Sequence, residues 1–187
     1  MPVELQQRIL RYVRWQDRQA GLLGKLLLAA GLNAYGYPPD CLGQLTYTAY
    51  GKPRLDPKID FNLSHSGNYV IGAFSADGRV GIDIERIREL ALADFSRYMT
   101  PAEWEQIRAA SDPYDQFFAY WTKKESVMKA DGRGLSIPLP NIAIAGETAA
   151  IEDARWFLQE IRLDAQYKCY LATDRKDAAL RIRQLHF

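Results

Sequence analysis

The stretch Val80-Gly81-Ile82-Asp83-Ile84-Glu85 constrains this chain more than any other. Its alternation predicts a strand, and successive strand side chains point to opposite faces. Val80, Ile82 and Ile84 therefore share a buried face, and Asp83 and Glu85 project together from the other. Farther on, Trp121-Thr122-Lys123-Lys124-Glu125-Ser126-Val127-Met128-Lys129 predicts a helix. A spacing of four sets Trp121, Glu125 and Lys129 on one stripe of it. Where such a strand meets such a helix, three carboxylates and an ammonium converge. Hard oxygen ligands of that kind suit a divalent cation, and the ammonium suits the charge of a pyrophosphate.

The simpler reading is a solvated acidic strand face and a helical surface ion pair contributing ~0.3–0.5 kcal/mol. The flanking residues argue against it. Phe117, Phe118, Tyr120, Trp121, Val127 and Met128 surround Glu125 and Lys129 in sequence. Charges inside such apolar elements are costly unless something binds them.

Composition sets outer bounds. At 187 residues the chain can bury one core, or two small halves that share an interface. A net charge of +1 lacks the basic excess that nucleic-acid binding leaves. Two cysteines, Cys41 and Cys169, are too few for a disulfide framework, so a reduced, cytoplasmic setting is expected. The apolar run Leu22 to Leu32 is broken by Gly24 and Lys25 and is too short to span a bilayer. Met1-Pro2-Val3-Glu4 does not read as a signal peptide, and no membrane association is expected.

Helical spacing runs from Glu4 to about Arg14, and Asp17 is placed to cap a second helix that ends at Gly31. Strands are expected over Leu45 to Gly51, Ile59 to Ser64, Tyr69 to Ser75 and Arg79 to Glu85. Ala76-Asp77-Gly78 predicts a hairpin between the last two. Thr100-Pro101-Ala102-Glu103 and Asp112-Pro113 both have the form of helix starts, and Gly132 ends the second helix. Strands are expected again over Asn141 to Ala145, Arg155 to Leu163, Tyr167 to Thr173 and Leu180 to Leu185. On these grounds the fold class is α+β.

The two motifs, in this order, resemble the 4′-phosphopantetheinyl transferase superfamily, most closely its single-chain surfactin-synthetase (Sfp) type. Gly51-Lys52-Pro53, Phe61-Asn62-Leu63-Ser64-His65-Ser66-Gly67 and Gly132-Arg133-Gly134-Leu135 resemble further family elements. The likeness runs from about Arg8 to Leu139. It implies two similar α+β halves related by a pseudo-twofold axis, residues 1–76 and 77–187, with the active site between them. Members of this type carry a first strand and loop ahead of the position matching Arg8. Their absence here implies either a trimmed first half or a start farther upstream.

The resemblance also implies roles. Asp83, Glu85 and Glu125 become ligands of Mg²⁺, with Mn²⁺ equally acceptable to the set. Arg8, Lys52, Ser64, His65 and Lys124 become contacts for coenzyme A, and Lys129 meets the departing phosphate. Glu125, directly or through a water, takes the proton of the attacking serine. Glu103 matches a family glutamate near the metal, yet it is also what a capping box wants at the third helical position. Where relatives often have an arginine, this chain has Ala20, which leaves Arg18 or Lys25 for the 3′-phosphate. The implied activity moves 4′-phosphopantetheine from coenzyme A to a serine of an apo acyl- or peptidyl-carrier protein. Arg86, Arg88 and Arg97 would greet an acidic carrier helix. One chain supplying both halves implies a monomer. Two alternatives stand beside this reading: a metal-dependent hydrolase of nucleotide pyrophosphates, and a non-catalytic relative that binds coenzyme A and carriers.

Overall fold

In the computed structural model, two antiparallel sheets and two long helices meet along one strand. The structure describes residues 3–187, apart from the side chains of residues 3–5 and 8. Helices α1 (Val3–Leu10) and α2 (Trp15–Ala34) come first. The short pair β1 (Thr46–Tyr47) and β2 (Pro53–Arg54) follows, then β3 (Asp60–Ser66), β4 (Tyr69–Ser75) and β5 (Val80–Arg86). A 3₁₀ segment, Leu92–Tyr98, leads to α3 (Pro101–Ala109) and α4 (Pro113–Asp131). Strands β6 (Ala143–Ala145), β7 (Thr148–Ile151), β8 (Ala154–Glu160) and β9 (Tyr167–Thr173) complete the chain's regular structure. The fold is α+β: α2 packs on the β3-β4 sheet, and α4 packs on β5 and β9 of the other. The two sheets are unequal: β3-β4 in one, β5-β9-β8-β7-β6 in the other.

The expected hairpin between the third and fourth of the early strands does not form. Strand β4 pairs instead with β3 through the turn Gly67-Asn68, in register from Ser66↔Tyr69 to Asp60↔Ser75. Gly67 there has φ +54°, which suits glycine. Strand β5 crosses to the other sheet and pairs along its whole length with β9. Both faces of β5 are buried, a demand met by the apolar β9 rather than by a local hairpin. The crossover is held by Asp174, which accepts from the Arg79 backbone N–H and Nε at 2.9 and 3.0 Å.

Other expectations shift at their ends. The first helix stops at Leu10 rather than Arg14. The second starts without a side-chain cap, with Asp17 in its first turn, and continues past Gly31 to Ala34. Gly31 is where α2 presses on β4: a Cβ there would lie 2.1 Å from the Phe74 ring. Leu45 to Gly51 shrinks to the two residues of β1. Strand β7 was not expected, and Leu180 to Leu185 forms no strand. With no neighbour offering it a ladder, that last stretch leaves Leu180 and Ile182 exposed. Both later helix starts form as expected. Thr100 and Glu103 make a reciprocal capping box, Asp112 accepts from the N–H groups of Tyr114 and Asp115, and Gly132 closes α4 at φ +88°.

Gly81 sets how closely α4 approaches β5. A Cβ at Gly81 would stand 2.1 Å from the Ser126 carbonyl oxygen and 2.3 Å from the Ala130 nitrogen. Both are helix backbone and cannot rotate aside. Gly81→Ala should therefore lower the unfolding free energy by about 3 kcal/mol or more, measured by urea denaturation. A loss below about 1 kcal/mol would mean that α4 slides off β5 at little cost.

Candidate active site

Asp83 and Glu85 leave β5 on the side that α4 covers, and Glu125 and Lys129 face them from that helix. Strand β3 supplies the opposite wall. Together these elements line a cavity of about 380 Å³, with Leu63, Ser64, His65 and Trp121 completing it. Strand β3 belongs to one sheet and β5 to the other, so the cavity lies between the two sheets and α4.

Asp83 is 3% exposed. Its Oδ1 accepts from Lys129 Nζ at 2.5 Å and from Ser64 Oγ at 2.8 Å. Its Oδ2 is buried with no hydrogen-bond partner. Burial raises the Asp83 carboxyl above its ordinary range, against the pull of Lys129. Glu85 accepts from Ser66 Oγ at 3.0 Å and is raised by burial and then by the Asp83 charge. Glu125 is pushed up to about 7, by burial first and Asp83 second.

Family models match nearly the whole chain. Residues 79–182 match the 4′-phosphopantetheinyl transferase superfamily, and residues 1–77 match the N-terminal part of a 4′-phosphopantetheinyl transferase. This chain belongs to the 4′-phosphopantetheinyl transferase superfamily. Among curated relatives, the 4′-phosphopantetheinyl transferase gsp of Aneurinibacillus migulanus is 39% identical over 73% of this chain and 58% of its own length. Sfp of Bacillus subtilis is 30% identical over 75% of this chain and 64% of its own. The mouse L-aminoadipate-semialdehyde dehydrogenase-phosphopantetheinyl transferase is 30% identical over 94% and 68%. Against the first two of these, the chain spans less than two thirds of the relative's length. The Sfp-type resemblance read from the motifs agrees with these matches.

Within this transferase-family cavity the donor set fits a divalent cation. Three carboxylates against one ammonium leave a formal excess of two negative charges, and a buried carboxylate oxygen stands without a partner. Among the described residues, however, no three acidic, imidazole or thiol groups are disposed to hold a metal ion as they stand. Lys129 supplies the compensating charge at Asp83 instead.

Two expected coenzyme A contacts do not line the cavity in this structure. Lys124 is fully buried, and its three donors go to Glu103 Oε2 at 2.9 Å and to the carbonyls of Leu139 and Ile142 at 2.9 and 2.8 Å. It ties α4 to α3 and to the segment before β6, with no proton left for a phosphate. Lys52 spends its donors on Asp60 Oδ2 at 2.7 Å and on the carbonyls of Val80 and Ala130, both at 3.3 Å. It pins the Gly-Lys-Pro turn to the two sheets and α4. Glu103 is the capping residue and the partner of Lys124, and it does not line the cavity.

Ser64 and His65 do reach the cavity, Ser64 buried and His65 exposed. Arg8 falls on α1, and its side chain lies outside the described residues. Arg18 donates to the Tyr12 carbonyl at 2.7 Å; neither it nor Lys25 lines the cavity. Sequence reasoning assigned nothing to Ser66, although its signal was present. Asp60, Asn62, Ser64 and Ser66 alternate along β3, which gives that strand a wholly polar face.

The Glu125 shift carries a pH signature. Below pH 4.5 this carboxyl is protonated in folded and unfolded chains alike. Between 4.5 and about 7 the unfolded chain ionises while the folded one holds its proton, so stability falls as pH rises. At ~1.4 kcal/mol per pH unit, the fall is bounded at roughly 3 kcal/mol. Urea midpoints taken in EDTA should drop across this window, and Glu125→Gln should make the drop shallower, leaving the part that Asp83 and Glu85 contribute. An unchanged slope in the variant would remove Glu125 as its source.

Proposed function

We propose that this chain transfers 4′-phosphopantetheine from coenzyme A to a serine of an apo acyl- or peptidyl-carrier protein, releasing 3′,5′-ADP. The observation that carries this is the convergence of Asp83, Glu85, Glu125 and Lys129 on one cavity, with Asp83 Oδ2 buried and unmatched. Asp83, Glu85 and Glu125 would hold a divalent ion of the Mg²⁺ or Mn²⁺ kind, which when bound neutralises pyrophosphate charge.

The chain's own residues then divide the chemistry. The serine oxygen forms a bond to the β-phosphorus, and the bond from that phosphorus to the 3′,5′-ADP oxygen breaks. Glu125 is the base that receives the serine proton, directly or through a water. Lys129 makes two hydrogen bonds, to Asp83 and Ser64, and an ammonium has three donors. The remaining donor serves the leaving group, where negative charge grows. Exposed His65 at the cavity offers a further contact to a phosphate. Arg86 at the end of β5, and Arg88 and Arg97 beyond it, are exposed and suit an acidic carrier.

The proposal divides the chain into halves of 1–76 and 77–187, supported by the change of sheet at residues 76–79. A monomer follows because one chain supplies both walls of the cavity. A cytoplasmic setting accords with two buried, unpaired cysteines. No described helix is long and apolar enough to cross a membrane.

Intact-mass spectrometry tests the activity. With coenzyme A, Mg²⁺ and a panel of apo fatty-acid and peptidyl carriers, a carrier should gain one phosphopantetheine, and EDTA or Asp83→Ala should abolish the gain. Coenzyme A consumed with no carrier modified would replace the transferase reading with a hydrolase. Lys129→Ala should lower kcat by about 100-fold or more while KM for coenzyme A changes little. A change confined to KM would refute the leaving-group role.

A further inference from the structure

Strand β3 does not pair with β5 through its backbone, yet it satisfies the outer edge of β5. Four alternate side chains of β3 each accept from the N–H of the residue twenty positions on. Asp60 takes Val80 at 2.8 Å, Asn62 takes Ile82 at 2.9 Å, Ser64 takes Ile84 at 3.4 Å and Ser66 takes Arg86 at 3.0 Å. The last two rungs differ from the others in that the side chain also donates. Ser64 Oγ also donates to Asp83 Oδ1 at 2.8 Å, and Ser66 Oγ donates to Glu85 Oε2 at 3.0 Å.

The residue types follow the neighbours. At the Asn62 rung the preceding residue of β5 is Gly81, which has no side chain to hold. At the serine rungs the preceding residues are Asp83 and Glu85, which need a donor. A hydroxyl accepts from the backbone and donates to the carboxylate at the same time; an aspartate in its place would repel that carboxylate. Each serine thereby fixes its carboxylate relative to the backbone of β5 from the other half of the molecule.

We propose that Ser66 is a positioning residue for Glu85. Through its hydroxyl, strand β3 sets that carboxylate for the divalent ion, as Ser64 sets Asp83. This rests on the metal-site reading above. Ser66 is the better probe, because Ser64 also bonds Lys129. Groups that hydrogen-bond to metal-binding carboxylates tune affinity, and their removal typically costs 10–100-fold.

The test uses Mn²⁺ as the probe, with free ion measured by electron paramagnetic resonance on the full chain, with and without coenzyme A. Ser66→Ala should weaken Mn²⁺ binding about tenfold, and Ser66→Thr, which keeps the hydroxyl, should restore it. A purely structural serine would move the urea midpoint and leave ion affinity unchanged. Wild-type affinity in a folded Ser66→Ala protein overturns the proposal and leaves the metal site standing. Equal loss in the alanine and threonine variants overturns it too, since the hydroxyl would then not be the cause. Failure of the unmodified protein to bind Mn²⁺ at millimolar concentration overturns the metal-site reading itself, and this inference with it.

Discussion

Strand β5 is buried on both faces, so the backbone N–H groups along its outer edge must find acceptors inside the protein. They find side chains rather than another strand's carbonyls: Asp60, Asn62, Ser64 and Ser66 of β3. A buried N–H left unmatched costs about 1–3 kcal/mol, so the polar face of β3 is required by the apolar burial of β5. Because the bonds come from side chains, β3 stays in its own sheet with β4. It is then free to bring Ser64 and His65 to the cavity that β5 and α4 close from the other side.

The close packing of α4 on β5 follows from the same strand. Gly81 admits the helix backbone, and two residues on, Asp83 meets Lys129 across the contact so formed. Helix position and carboxylate position are thus set by neighbouring residues of one strand. The cost is electrostatic: three carboxylates share a half-dry cavity with one ammonium, and burial lifts the affinity of each for a proton. That stored unfavourable charge is what a divalent ion would relieve.

Lysines with similar sequence surroundings end in different employment. Lys52 and Lys124 each spend three donors on protein oxygens and act as internal ties. Lys129 retains a donor and lies at the cavity. Helical spacing sets Lys129, and not Lys124, on the stripe of Glu125, but it does not say where the off-stripe lysine spends its charge. Rotation around that helix turns one into the core between α3 and β6 and the other toward β5.

Local physics accounts for what the sequence by itself determined. Alternation placed Asp83 and Glu85 on one face of β5, helical spacing placed Glu125 and Lys129 on one stripe of α4, and cap chemistry located both later helix starts. Each depends only on residues a few positions apart, as did the family likeness carried by those motifs. The tertiary structure alone decided which strands pair, because β5 had to choose between a nearby hairpin and the distant β9, and burial on both faces favoured the latter. It also decided which charges are spent internally: Lys52 and Lys124 meet carbonyls and carboxylates from other segments, and Glu103 is claimed by its cap and by Lys124. The pairing of Ser66 with Glu85 belongs to the same class, for it joins residues nineteen apart across two sheets whose approach no local pattern encodes.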